Sequence, residues 1–307
     1  MATEREVAAR IGSASLLVAA VACDPLVVIG ADPPSPEAGV DATVEASVVE
    51  AGADLDASVD AVLDASADVD ADSGADAGAD ADAGLTPIPF PWSTSFENGS
   101  ANADFTAPDS LCYILGGGFF QLVTSPAHTG THSISFAVNT DTDSSDESQA
   151  RCFLSGILPA SAYYGAWYYL PATAVNAGNW NLIHFQGSTG PSGTPENLWD
   201  ISLVSSSDGQ LHLTVHDFFD ATDYDAGAGI PPIPIKTWFH LQVFLQRAAD
   251  STGRFTLYQD GQIALDLTGI KTDDTAWGQF FVGSLATALT PASYTLNVDD
   301  MTVGPSL

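Results

Sequence analysis

The chain has 307 residues and a formal net charge of −32, from 39 Asp and Glu against 7 Lys and Arg. That balance leaves no basic footprint for nucleic acid and argues against strong affinity for polyanions without a local basic cluster. A length of this order is a prior for two domains, but the uneven distribution of charge and aromatic residues argues for a single folded unit behind a long leader.

Residues 1–23 read as an export signal. Arg5 and Arg10 flank a short first region, and Ile11–Ala22 is a 12-residue run of apolar and small residues, too short to span a bilayer. The run ends Ala20-Val21-Ala22-Cys23, which resembles the lipobox of bacterial lipoproteins. The resemblance implies a lipidated Cys23, a lipid anchor as the membrane link, and a location on the outer membrane or cell surface. Cleavage to a free secreted protein is the alternative.

Residues 24–85 read as a spacer. Asp24–Gly84 holds 16 Asp and Glu, no Lys or Arg, and no aromatic residue. Such a segment has too little apolar surface to offset its chain entropy, so a disordered acidic linker extended by self-repulsion is expected. Its Asp repeats lack the Gly-Gly-x-Gly-x-Asp pattern of calcium-binding β-helices.

Residues 86–307 differ in kind, with 21 Asp and Glu against five Lys and Arg, a net of −16. Short alternating runs separated by turn residues predict strands at Ser93–Glu97, Phe119–Thr124, Ser133–Val138, Arg151–Gly156, Tyr163–Leu170, Asn181–Gln186, Trp199–Val204, Leu211–Asp217, Phe239–Gln246, Arg254–Gln259, Gln262–Leu267, Gln279–Ser284 and Tyr294–Val303. Asp260-Gly261 is a type I′ hairpin signal. The fold class expected is all-β, a two-sheet antiparallel sandwich. In an exported protein Cys112 and Cys152 are expected to form a disulfide, with two buried thiols as the alternative.

The aromatic-rich stretch Tyr163–Phe218 is expected to build much of one sheet. Side-chain alternation puts Ile183, Phe185, Leu213 and Val215 toward the core. It puts His184, Gln186, Asp200, Ser202, His212, Thr214 and His216 on the opposite face, bordered by Trp180 and by Trp167 or Tyr168. Hydrogen-bonding groups beside aromatic rings suit a sugar. His212 and His216 invite a zinc reading, but four residues along a strand span about 13 Å, too far for one ion.

Several segments together resemble the concanavalin A-like lectin/glucanase jelly roll, in its polysaccharide-lyase-like or laminin-G-like branch. They are Ser95-Phe96-Glu97-Asn98-Gly99, Pro126–Ile134, Trp167-Tyr168-Tyr169-Leu170-Pro171, Trp238–Val243 with Gly253–Gly261, and Val298-Asp299-Asp300-Met301-Thr302-Val303-Gly304. The resemblance implies a jelly-roll sandwich and a glycan partner. It also implies a structural calcium held by Glu97, Asp299 and Asp300, with Asp104 as a helper, and no organic cofactor. Lyases of this fold use a His and a Tyr as base and acid, with a Gln or Arg on the uronate. His184 and Gln186 are the candidates here, and Arg151 or Arg247 the candidate cation. A glycosidase needs two paired carboxylates, and the Glu-x-Asp-x-x-Glu strand that supplies them in this fold is missing. The function expected is therefore a lectin-like module binding a neutral or weakly charged glycan. A polysaccharide lyase with His184 as the candidate catalytic residue, and an adhesion module without a sugar site, are the alternatives.

Overall fold

A computed structural model describes residues 85–141 and 147–306. The predicted export signal, Cys23 and residues 24–84 of the spacer lie outside the described residues, as do residues 142–146. The described residues contain seventeen strands and no helix. One sheet has seven strands in the order β11 (Thr222–Asp225), β10 (Leu211–Asp217), β9 (Glu196–Ser205), β8 (Trp180–Ser188), β15 (Trp277–Ala286), β5 (Ser148–Gly156) and β2 (Leu111–Leu115). The other follows the order β14 (Gln262–Ile270), β13 (Gly253–Gln259), β12 (Trp238–Gln246), β6 (Ser161–Tyr169), β17 (Ser293–Gly304), β4 (Ser133–Asn139) and β3 (Phe119–Val123), with β1 (Trp92–Thr94) also paired to β17. A two-stranded ribbon joins β7 (Val175–Asn176) and β16 (Leu289–Thr290). Pairing between these strands is antiparallel throughout.

The two sheets meet because each buries one face of a period-two pattern. Leu211, Leu213 and Val215 of β10 and Phe239, Leu241, Val243 and Leu245 of β12 belong to one core cluster. Aromatic rings bridge the layers: Tyr164 lies 5.1 Å from Phe185 and 5.0 Å from Phe280, and Trp199 stacks on Phe255 at 4.5 Å. Each such side chain contributes about 1.5–3 kcal/mol through burial. At the β13–β14 turn Asp260 and Gly261 adopt φ of 51° and 76°, the positive values a type I′ hairpin requires.

One expectation is corrected. The stretch Tyr163–Phe218 does not form one sheet. β8, β9 and β10 are neighbours, but β6 belongs to the opposite layer between β12 and β17. Its core residues touch β8 across the sandwich, through Tyr164 and Phe185, rather than beside it. Trp167 therefore lies on the far surface from His184, and Tyr168 is fully buried, with its hydroxyl donating to the Leu182 carbonyl at 2.9 Å.

Tyr164 offers a test of the core. Its hydroxyl is buried without a hydrogen-bond partner, and burial pushes its pKa well above the usual phenol value. Removing an unsatisfied buried group relieves a desolvation penalty of about 1–3 kcal/mol. Tyr164→Phe is therefore expected to be at least as stable as the parent and up to about 1 kcal/mol more stable in urea denaturation. A loss of that size would show that the hydroxyl is satisfied.

Candidate functional site

The outer face of the seven-stranded sheet is laid out in cross-strand rows. The central row runs Phe153, Phe281, His184, Asp200, His216 and Asp223, each opposite the next on the neighbouring strand. A second row brings Tyr113 opposite Arg151 and Arg151 opposite Gly283. Further along the same face, Ser202 lies opposite Thr214 and Thr214 opposite Asp225. At Gly283, φ is 145° and an added Cβ would fall 2.5 Å from the Ala150 carbonyl oxygen and 3.1 Å from Arg151 Cγ. Glycine there leaves Arg151 room to lie across the sheet.

Most of the predicted platform is assembled as expected. His184 Nδ1 bonds the Asp200 carboxylate, and His216 Nδ1 bonds Asp223 at 2.7 Å. A carboxylate can only accept, so each histidine carries a proton on Nδ1 while its partner is ionised, and in the neutral ring Nε2 is then the lone-pair site. Asp200, Ser202, Thr214 and His216 line a cavity of about 510 Å³ together with Asp223 and Asp225. Gln186 sits at one margin, donating to the Asn197 side chain at 3.2 Å. His212 faces the same way but lies opposite Val204, beyond the cavity. Trp180 departs from expectation. It borders the cavity but has no exposed surface, lying edge-on to Tyr294 at 4.7 Å with its indole N–H donating to Ser284. Ile183 and Phe185 are buried in the same core.

The sheet also gathers a cluster that the sequence reading did not assemble. Arg151 is 5 % exposed. Its guanidinium carbon lies 4.7 Å from the Phe281 ring centre and 5.8 Å from that of Tyr113. Its Nη2 donates to the Tyr113 hydroxyl at 2.9 Å and to the Gln149 side-chain oxygen, which also accepts from the Tyr113 hydroxyl at 2.6 Å. Nε and Nη1 are buried without a partner. Among the described residues no carboxylate pairs with Arg151, and Glu147 reaches the cluster only through the Gln149 amide. Burial holds the Tyr113 phenol above its ordinary pKa of 10, against the opposing pull of the Arg151 charge. The other side of the Phe281 ring carries His184, at 5.3 Å between ring centres. Arg247, the other candidate cation, is structural: it pairs with Asp273 at 2.6 Å and donates to the carbonyls of Leu158 and Thr275.

Tyr113 went unnoticed because β2 is an edge strand without alternation, its residues running exposed, buried, half-buried, exposed, exposed. Its one sequence signal is Cys112. The expected Cys112–Cys152 disulfide is present and joins directly opposed residues, so it ties Tyr113 beside Arg151.

The proposed calcium ligands do not form one set. The Glu97 carboxylate accepts from the backbone N–H groups of Thr131 and His132 and from the Thr131 hydroxyl. Asp299 accepts from the N–H groups of His128 and Thr129, while Asp300 bonds the His128 ring at 2.6 Å and the Thr129 hydroxyl. Asp104 is engaged by Thr94 and Asn98. The three proposed ligands thus clamp the segment His128–His132. Among the described residues no three His, Cys, Asp or Glu are placed to share a metal ion.

No protein-family model matches the chain, and no curated protein matches it. Among solved structures, endo-β-1,4-glucuronan lyase from the fungus Trichoderma reesei is similar at a TM-score of 0.50 and 16% identity, over 65% of this chain and 93% of that one. The marine PL-14 alginate lyase from Aplysia kurodai gives a TM-score of 0.48 at 11% identity, over 69% of this chain and 97% of that one. The likeness to the glucuronan lyase is one of fold, the jelly-roll β-sandwich.

Two outcomes follow from this geometry. Replacing both cysteines, Cys112→Ser with Cys152→Ser, is expected to cost about 4 kcal/mol in denaturant unfolding, because the bridge closes a loop of 40 residues. The Glu97 clamp carries a pH signature. Hydrogen bonds from Thr131 and His132 hold its pKa at about 2, below the ordinary 4.5. Its stabilisation is present above pH 4.5 and is lost as pH falls from 4.5 toward 2. Glu97→Gln is expected to flatten the dependence of Tm on pH in that window, and an unchanged acid limb would contradict the assignment.

Proposed function

We propose that the chain is a polysaccharide lyase that cleaves a uronic-acid polymer by β-elimination on the outer face of the seven-stranded sheet. The observation that carries this reading is Arg151, a nearly enclosed guanidinium with only neutral hydrogen-bond partners among the described residues. A buried cation without a counter-ion is costly, and a uronate carboxylate is the complementary charge. Of the other four Lys and Arg in the folded part, three are ion-paired and Lys236 is exposed. To reach the guanidinium, a substrate carboxylate must turn Gln149 or Tyr113 aside.

The chemistry then divides among residues already in place. Arg151 and the Gln149 amide neutralise the carboxylate, which acidifies the neighbouring C5 proton. His184 takes that proton on Nε2, oriented by Asp200 at Nδ1. The electron pair forms the C4–C5 double bond, and the bond from C4 to the glycosidic oxygen breaks. Tyr113, kept protonated by burial, returns a proton to the leaving oxygen. His184 and Arg151 lie against the same Phe281 ring, and Tyr113 bonds the guanidinium, so the three groups border one stretch of surface. The Trichoderma reesei neighbour is a glucuronan lyase, in keeping with this substrate class.

A second reading rests on the other half of the face. The cavity over β8 to β11 has Asp200, Asp223 and Asp225 in its wall and no Lys or Arg. That lining favours a neutral glycan unit and supports a lectin-like role. Incubation with glucuronan, alginate and polygalacturonate separates the two. The lyase reading expects an unsaturated product absorbing in the ultraviolet from at least one polymer. Its rate should fall about 10²–10⁴-fold in His184→Ala and in Tyr113→Phe, and by at least about 10²-fold in Arg151→Ala. Binding of a neutral glycan with no product from any of the three polymers would favour the lectin reading.

A further inference from the structure

The opposite surface of the sandwich carries a second cavity. On the outer face of the eight-stranded sheet, Gln242 lies opposite Gly165, Gly165 opposite Thr302, and Thr302 opposite Ser93. The adjacent row places His240 opposite Trp167. Gly165 has no side chain, so a trough opens along its row. An added Cβ there would come within 2.9 Å of the Leu241 carbonyl oxygen, 3.1 Å of His240 Nε2 and 3.2 Å of Gln242 Cγ. The resulting cavity, of about 440 Å³, is lined by Trp92, Trp167, His240, Gln242, Ser93 and Thr302, among others.

Two polar groups at this cavity are unspent. Gln242 is only 6% exposed, yet its side-chain amide makes no hydrogen bond to any described residue. The ring nitrogens of His240 make none either, although the ring is fixed by stacking on Trp167 at 5.0 Å, whose other face is covered by His128 at 3.8 Å. Both groups line the cavity and neither is sealed from it, and an amide plus an imidazole together supply donors and acceptors of both kinds. Burial lowers the His240 pKa below 6.5, so at neutral pH the ring is uncharged and can both donate and accept. The charged group in the wall is Asp300, with no Lys or Arg. An anionic ligand is therefore disfavoured, while a ligand rich in hydroxyl groups matches the amide, the imidazole and the hydroxyls of Thr302 and Ser93.

We infer that this cavity is a second carbohydrate site, which takes a neutral glycan unit through Gln242, His240, Thr302 and Ser93, on the surface opposite Arg151 and His184. Such a site would hold a neutral polymer while the other sheet works on, or binds, a separate chain. It does not depend on the lyase reading.

The test is calorimetric titration of the full chain with cellohexaose, xylohexaose and mannohexaose at millimolar concentration, with thermal melting as the check on folding. At least one of the three is expected to bind. Gln242→Leu and Thr302→Val should each weaken that binding, the first by about tenfold, the equivalent of about 1.4 kcal/mol. Arg151→Ala should leave it unchanged. Two variants are used so that a folding defect in one does not remove the test. The inference is overturned if none of the three sugars binds, if binding survives both substitutions intact, or if Arg151→Ala abolishes it.

Discussion

A guanidinium nearly enclosed on the outer face of an acidic sandwich is the constraint on which the candidate site depends. Moving a full charge out of water costs several kcal/mol unless partners replace the lost hydration. At Arg151 the replacement is partial: two aromatic ring faces, the Tyr113 hydroxyl and the Gln149 carbonyl. Three features hold that arrangement together. Glycine at position 283 clears the space, the disulfide fixes β2 against β5, and Phe281 supplies a flat surface that His184 shares from the other side. Nε and Nη1 remain buried without a partner.

The sandwich keeps two outer surfaces apart by geometry. Period-two alternation sends half of each strand to the common core and half to a surface, and the two surfaces point away from each other. One carries Arg151, Tyr113, His184 and an acidic cavity. The other carries the stacked rings of His128, Trp167 and His240 above a glycine-floored trough. Each surface is a set of cross-strand rows, so the identity of a site is decided by register. A slip of one residue in β5 would replace Arg151 by Ala150 or Cys152 on the outer face.

Near the irregularity in β17, carboxylates act on backbone donors of one loop. Glu97 and Asp299 between them accept four N–H groups of the segment His128–His132. The two respond to pH in opposite senses. Hydrogen bonds lower the Glu97 pKa to about 2, whereas burial raises that of Asp299 to about 6 despite its N–H partners. Ionising Asp299 therefore costs the fold as pH rises from 3.8 to 6, while Glu97 loses its contribution as pH falls below 4.5.

Strand alternation, the hairpin at Asp260-Gly261 and the all-β class are legible in the sequence, and the Cys112–Cys152 pairing is expected from it, because each follows from local spacing or a pairwise constraint. Alternation also puts Asp200 with Ser202, and Thr214 with His216, on one side of their own strands. Which strands are neighbours is settled in three dimensions. That choice moved Trp167 to the opposite surface, buried Trp180, and brought Tyr113, Gln149 and Arg151 together from an edge strand and its partner. Strand adjacency depends on how two sheets bury their apolar faces against each other, through contacts such as Tyr164 on Phe185, and that packing has no signature within any one strand.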